Sequence, residues 1–169
     1  MLYRTFFRPL LFRLDPERAH ETTLSLLSKI GFLEAGLATF FAESDPRLQA
    51  SLGSMKVPNP IGLAAGFDKN AKAVAVWPAF GFGFVEIGAV TAHAQPGNPK
   101  PRLFRLSGDQ ALINRMGFNN EGAAAIATRL RALEEKGRLH KVPLGINIGK
   151  SKITDNRDAV KDYLFTFEK

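Results

Sequence analysis

Apolar positions along the chain change their period several times, and each change marks an element. Leu2, Tyr3, Phe6, Phe7, Leu10, Leu11 and Phe12 recur at helical spacing. Asp15 is then placed to cap a helix whose first position is Pro16, with Ala19, Thr23, Leu26, Leu27 and Ile30 on one face and Gly31 as its stop. A shorter helix over 33–42 makes the pair an N-terminal helical hairpin, bounded by Ser44-Asp45-Pro46. After Leu48 the period shortens. Residues 52–57 followed by Pro58-Asn59-Pro60 predict a small β-hairpin, and 61–64 a buried strand of small residues that ends at Gly66. A short helix over 71–80, a strand over 84–87, a strand-like piece over 102–106, a helix over 121–136 stopped by Gly137, and a strand over 144–148 follow. The last stretch, 158–169, is an amphipathic helix with Val160, Tyr163, Leu164 and Phe167 on one face. Strands alternating with helices predict the α/β class, with parallel strands and functional residues at their carboxyl ends.

Length limits that reading. The chain has 169 residues, enough for one core, whereas a complete eightfold β/α barrel needs about 250. Apolar residues make up 45% and charged residues 23% of the chain, which is ordinary globular usage and excludes wholesale disorder. It has no cysteine, so a disulfide scaffold, a thiol nucleophile and cysteine-ligated metal are excluded. His20, His93 and His140 form no pair with metal-ligand spacing, so no metal site is expected.

Charge adds a second theme. Lys and Arg exceed Asp and Glu by 23 − 16 = +7, and Arg4, Arg8 and Arg13 share the first thirteen residues with no acid among them. A basic, aromatic segment of this kind can lie in a bilayer interface, or it can pack as a terminal helix on its own domain. It is not a secretory signal, since the arginines interrupt any apolar core; a mitochondrial presequence is the alternative. The uncharged run 73–85 contains Pro78, Gly81 and Gly83 and is too short to span a bilayer.

Candidate chemistry collects at the strand ends. The first delivers Ala64-Ala65-Gly66-Phe67-Asp68-Lys69, where small residues admit a flat ligand and a lysine supplies a cation. The second delivers Gly88-Ala89-Val90-Thr91. The third delivers Asn147 to Ser151, with Asn147 between apolar neighbours that would bury its amide. The segment Ile113-Asn114-Arg115-Met116-Gly117-Phe118-Asn119-Asn120 offers amide donors and acceptors to a planar polar ligand. Simpler roles stand beside these: Gly66 and Gly88 as turn glycines, Lys69 as a solvated lysine, and Asn119 or Asn120 as a cap for the next helix. Gly145 to Ser151 is not a P-loop, because three residues rather than four separate its glycines.

Six segments in order carry a family resemblance: Leu14-Asp15-Pro16-Glu17-Arg18-Ala19-His20; Asn59 to Gly66 with Asp68-Lys69; Glu86-Ile87-Gly88; Gln95 to Arg102 and on to Leu106; Ile113 to Asn120; and Gly145 to Lys150. Together they resemble the N-terminal half of class 2, quinone-dependent dihydroorotate dehydrogenases. The resemblance implies a partial β/α (TIM-type) barrel over 46–169, preceded by an amphipathic helical region over 1–45 that meets the membrane and forms a quinone tunnel. It implies FMN as cofactor and oxidation of dihydroorotate to orotate, in de novo pyrimidine (UMP) biosynthesis, with a membrane quinone as electron acceptor. FMN contacts fall to Ala65, Gly66, Phe67, Asp68, Lys69, Ala89 and Asn147. Substrate contacts fall to Lys69, Asn114, Arg115, Met116, Gly117 and Phe118, and the inner end of the tunnel to His20 and Arg105. The location implied is peripheral, on a bacterial inner (cytoplasmic) membrane, with the mitochondrial inner membrane as the alternative, and no nucleic acid is a partner.

Two local departures limit the carry-over. Ala89 replaces a hydroxyl residue that commonly bonds FMN in this family, and 91–94 lacks the usual prolines. The serine that acts as general base has no counterpart here, because Ser151 belongs to the Gly-Lys motif; with no cap after the last helix, the chain reads as one half of a longer barrel. Other readings left open are a different flavin or phosphate-ligand barrel enzyme and a non-enzymatic basic module for membranes or nucleic acid.

Overall fold

The computed structural model describes residues 3–139 and 141–169; Leu2 of the leader and His140 lie outside them. Residues Tyr3–Phe7 form a loosely wound π-helical turn that runs into α1, Arg8–Leu11. Helix α2 spans Pro16–Lys29, and its Asp15 cap accepts from the N–H groups of Glu17 at 3.0 Å and Arg18 at 3.1 Å. These two bonds satisfy amides that the helix itself leaves unpaired. Helix α3 spans Glu34–Phe41 and turns back through 115° from α2. Among the described residues no single helix is long and apolar enough to cross a membrane.

Strands β1 (Ala50–Leu52) and β2 (Met55–Val57) form an antiparallel hairpin, which begins two residues ahead of the one expected over 52–57. The central sheet is parallel, in the order β3 (Gly62–Leu63), β4 (Phe84–Val90), β7 (Leu144–Ile148). Leu63 pairs with Val85, Val85 with Leu144 and Gly88 with Asn147, so the three carboxyl ends lie side by side. This is the first part of a β/α barrel. Between β4 and β7 the chain makes an antiparallel hairpin outside the sheet, β5 (Leu103–Leu106) with β6 (Ala111–Asn114), and then helix α4 (Ala123–Glu135); α5 (Ala159–Phe167) follows β7.

The core is built on alternate residues of β4. Val85 and Ile87 are almost fully buried against Val74, Val76, Trp77, Ala123 and Ile126, and Leu24 of α2 joins the same cluster. Glu34 of α3 also pairs with Arg138 at 2.7 Å and with Lys141, beyond the end of α4. The N-terminal helices therefore pack directly onto the barrel segment.

Three expectations need correction. Residues 71–80 form no α-helix; turns lead to one 3-10 turn at Trp77–Phe80. Ala71 has φ +54°, which breaks the helical path at its start, and the buried Asp68 carboxylate takes the N–H groups of Lys72 and Ala73. Asn147 is exposed rather than buried, because β7 is the edge of the sheet and no described strand pairs with its far side. The expected strand over 102–106 exists, but it belongs to the outer hairpin, and β6 was not foreseen.

Candidate functional site

The carboxyl ends of β3 and β4 meet through one hydrogen bond, from the Gly66 N–H to the Gly88 carbonyl at 2.8 Å. Both glycines have positive φ, +103° and +105°. A Cβ at Gly88 would sit 2.4 Å from the Asn147 carbonyl oxygen, so only glycine fits there; a Cβ at Gly66 would meet nothing within 4 Å. Gly66 thus presents bare backbone to open space. Ala89 is buried, with Gly149 packed beside its methyl group, and Asn147 donates from Nδ2 to Glu86 Oε1 at 3.3 Å.

Lys69 stands at the rim of this surface, and its Nζ donates to Asn119 Oδ1 at 2.7 Å. Burial, with repulsion from Arg102, pushes its ammonium below the ordinary lysine value, while Glu17 opposes the shift. The Asp68 side chain turns the other way and is fully buried, accepting from Lys72 N at 2.7 Å, Ala73 N at 2.8 Å and Trp77 Nε1 at 3.1 Å. Phe67 packs edge-on against His20 at 4.8 Å and Trp77 at 5.6 Å between ring centroids.

A cavity of about 1130 Å³ opens in front of these groups, lined by Gly66, Phe67 and Lys69 at one wall, Asn114, Met116 and Asn119 at another, and His20 and Arg105 at the side of the N-terminal helices. Most residues that the sequence singled out therefore share one space although they are far apart in the chain. A family model described as dihydroorotate dehydrogenase matches residues 47–169. The chain belongs to that family. It is 56% identical over 170 residues to the dihydroorotate dehydrogenase (quinone) of Gloeobacter violaceus, covering 99% of this chain and 46% of that protein. The enzyme of the same name from Acidithiobacillus ferrooxidans is 52% identical, with 95% and 44% covered. Solved structures of this dehydrogenase from Eimeria tenella superpose as well. The ligand-free one gives a TM-score of 0.73 at 42% identity, covering 88% of this chain and 40% of that one; the ferulenol complex gives 0.69 at 40% identity, covering 87% and 39%. The chain spans about half the length of the curated relatives it matches.

Other candidate residues are placed differently. The Arg115 guanidinium turns away from the cavity to the Pro101 carbonyl at 3.1 Å. Arg105 bonds the Leu14 carbonyl at 2.8 Å and the Leu11 carbonyl at 3.3 Å, and stacks on the Phe12 ring at 4.5 Å, so it closes the carboxyl end of α1 while still lining the cavity. Burial and the nearby Lys69 ammonium push the His20 imidazole below its ordinary value. Gly117 and Phe118 turn with φ +76° and +54°, and the Phe118 ring is exposed. Ser151 is fully buried, its Oγ accepting from the His93 N–H at 3.1 Å and its own N–H donating to Asp162 at 2.8 Å. No group of three or more His, Asp or Glu among the described residues could hold a metal ion.

Sequence reasoning placed Asn119 and Asn120 in the segment that offers amides to a planar ligand, with a cap for the next helix as the simpler role of one of them. Asn120 does accept from the Gly122 N–H at 2.9 Å beside the start of α4, and its Nδ2 also donates to Thr91 Oγ1 at 2.8 Å, tying the loop to the end of β4. Glu17 and Arg102 went unassigned although both stand inside quoted motifs. They form a buried ion pair, at 3% and 6% exposure.

Proposed function

We propose that this chain is the flavin- and substrate-binding portion of a quinone-dependent dihydroorotate dehydrogenase, which oxidises dihydroorotate to orotate in de novo pyrimidine (UMP) biosynthesis. The observation that carries the reading is the single cavity shared by Gly66, Lys69, Asn114, Met116, His20 and Arg105. Its donor set fits FMN. The bare backbone at Gly66, beyond which a Cβ finds open space, suits a flat ring system, and the Lys69 cation suits an electron-rich ring edge or an anionic substrate.

In this reading Ala65, Gly66, Phe67, Asp68, Lys69, Ala89 and Asn147 hold the cofactor, with Asp68 acting through its backbone and through the segment that its carboxylate organises. When bound, FMN supplies the two-electron acceptor for the hydride of dihydroorotate. Lys69 holds its ammonium toward the substrate carboxylate, and its fixed hydrogen bond to Asn119 prevents it from turning into solvent. Asn114 and the backbone of Arg115, Met116, Gly117 and Phe118 clamp the pyrimidine edge. His20 and Arg105 meet the quinone head at the far side of the same cavity. Residues 1–45 form the membrane and tunnel region and 46–169 the barrel portion. Arg4, Arg8 and Arg13, with the exposed rings of Phe6, Phe7 and Phe12 beside them, support peripheral attachment to a bacterial inner (cytoplasmic) membrane. No serine base is assigned, since Ser151 is buried away from the cavity.

The test is titration of the purified 169-residue chain with FMN and then orotate, followed by flavin fluorescence and absorption. Saturable FMN binding with an orotate-dependent spectral shift is expected, and Lys69→Ala should keep FMN while weakening orotate at least tenfold. Dihydroorotate:quinone turnover by these residues alone is not expected. Robust turnover, or no flavin binding at all, would overturn the proposal.

A further inference from the structure

The Glu17–Arg102 ion pair lies between the two sides of the cavity. Glu17 sits in the first turn of α2, three residues before His20 and so on the same helical face. Arg102 precedes β5, 85 residues away. Its Nε donates to both Glu17 oxygens, at 3.2 and 3.1 Å, and its Nη2 to Oε1 at 2.6 Å. The remaining arm, Nη1, forks to the Pro96 carbonyl and to the Asn98 carbonyl at 2.9 Å. One guanidinium thus binds a helix with one edge and a loop with the other.

That loop carries the substrate-side segment. The Asn98 N–H donates to the Met116 carbonyl at 3.0 Å, Asn98 Nδ2 to the Arg115 carbonyl at 2.8 Å, and the Arg115 N–H to the Arg102 carbonyl at 2.8 Å. Gln95 and Asn120 exchange two backbone bonds at 3.0 Å each. At Gly97 a Cβ would stand 2.3 Å from the Met116 carbonyl oxygen, so the two loops touch backbone to backbone. Asn114, Arg115, Gly117 and Phe118 are exposed and β6 is exposed throughout, so the 114–118 segment is held by hydrogen bonds rather than by apolar burial; these also include Gln95 Nε2 and Asn120 Nδ2 to the Phe118 carbonyl, at 3.2 and 2.8 Å, and Arg115 Nη2 to the Pro101 carbonyl at 3.1 Å.

We propose that Glu17 and Arg102 are a positioning pair that fixes the 114–118 segment against α2, so that the loop assigned to substrate and the helix carrying His20 keep one geometry. The functional part of this inference rests on the reading of the cavity given above; its structural part does not. A buried ion pair contributes little net stability compared with apolar packing of the same volume, so its role here is orientation. Lysine could answer Glu17, but its three N–H groups share one nitrogen and cannot span from Glu17 at one edge to the loop carbonyls at the other as the planar guanidinium does.

Amide hydrogen exchange on the full chain, without FMN or orotate, tests this, so its failure is distinct from failure of the functional reading. Arg102→Lys should raise exchange at the Asn98, Arg115 and Asn120 amides at least tenfold and leave the β4 amides unchanged. Glu17→Gln should do the same and also release the first turn of α2. No change at these amides, or an equal rise in β4, would overturn the proposal. Should either variant fail to fold, the unmodified chain in low denaturant decides the matter: the Asn98, Arg115 and Asn120 amides and the first turn of α2 should open as one unit with one denaturant dependence, and separate openings would refute the pairing.

Discussion

Asp68→Asn isolates the group that shapes the cavity wall beside Lys69. The native carboxylate is fully buried and takes three donors: Oδ1 accepts from Lys72 N, and Oδ2 from Ala73 N and Trp77 Nε1. An asparagine keeps one acceptor oxygen. If that oxygen serves Ala73 and Trp77, the amide NH2 faces the Lys72 N–H, and two donors point at each other. Hydrogen bonds to a charged group contribute about 1.5–3 kcal/mol each, and an unsatisfied buried donor costs about 1–3 kcal/mol. Removing the buried charge offsets part of this, which leaves an expected loss of about 2–4 kcal/mol against a typical domain stability of about 5–15 kcal/mol. Trp77 is the chain's single tryptophan and its indole N–H is one of the three donors, so its emission reports both local rearrangement and unfolding. Urea titration followed by Trp77 fluorescence should show a lower midpoint and a shifted native emission maximum. A change below about 0.5 kcal/mol, the usual effect of a surface substitution, with native emission unaltered, would refute the view that Asp68 organises 71–77.

The two strand-end glycines should separate packing from ligand space. Both substitutions strain a positive φ, at about 1–3 kcal/mol each, but Gly88→Ala also places a Cβ 2.4 Å from the Asn147 carbonyl oxygen and should lower the urea midpoint further than Gly66→Ala, whose Cβ meets no atom within 4 Å and whose added loss should be in FMN affinity; equal effects of both on unfolding would contradict this. Acid should weaken the fold through two carboxylates. Arg102 holds Glu17 below its ordinary value of 4.5, and at Asp162, where burial opposes the shift, the Thr154 hydroxyl and Ser151 N–H hold it below 3.8. Both folded values are depressed, so their stabilisation is complete above those ordinary values and is lost as pH falls through the folded ones; unfolding midpoints measured from pH 7 to 3 should fall less steeply in Glu17→Gln, and an unchanged pH profile would count against the ion pair. Replacing Arg4, Arg8 and Arg13 together by Gln should cut binding to anionic lipid vesicles at least tenfold in low salt, checked by co-sedimentation; undiminished binding would remove the basic leader from the membrane surface.

Elements whose cause is local were legible before the fold was known. Asp15-Pro16 specifies the start of α2, Gly137 follows the end of α4, and alternating or continuous apolar runs give β4 and β7, because capping, φ preference and periodicity act within a few residues. The strand-end glycines and Lys69 were visible as a candidate site for the same reason. The run Ala71 to Trp77 misled because its apolar residues fit a helix, while Ala71 at positive φ and the Asp68 carboxylate dictated turns.

What the amino-acid order determined by itself was the element sequence apart from the turns over 71–77 and the β5–β6 hairpin, the parallel α/β class and the family. Tertiary structure decided which side chains meet. Asn147 reads as buried between Ile146 and Ile148 but lies on an edge strand; Arg105 reads as a tunnel contact and Arg115 as a substrate contact, and the structure engages both guanidinium groups with backbone carbonyls. Glu17 and Arg102 read as two unrelated charges until packing of α2 on the barrel segment removed both from water. Burial makes an unpaired charge costly, and burial belongs to the assembled layers rather than to any window of sequence.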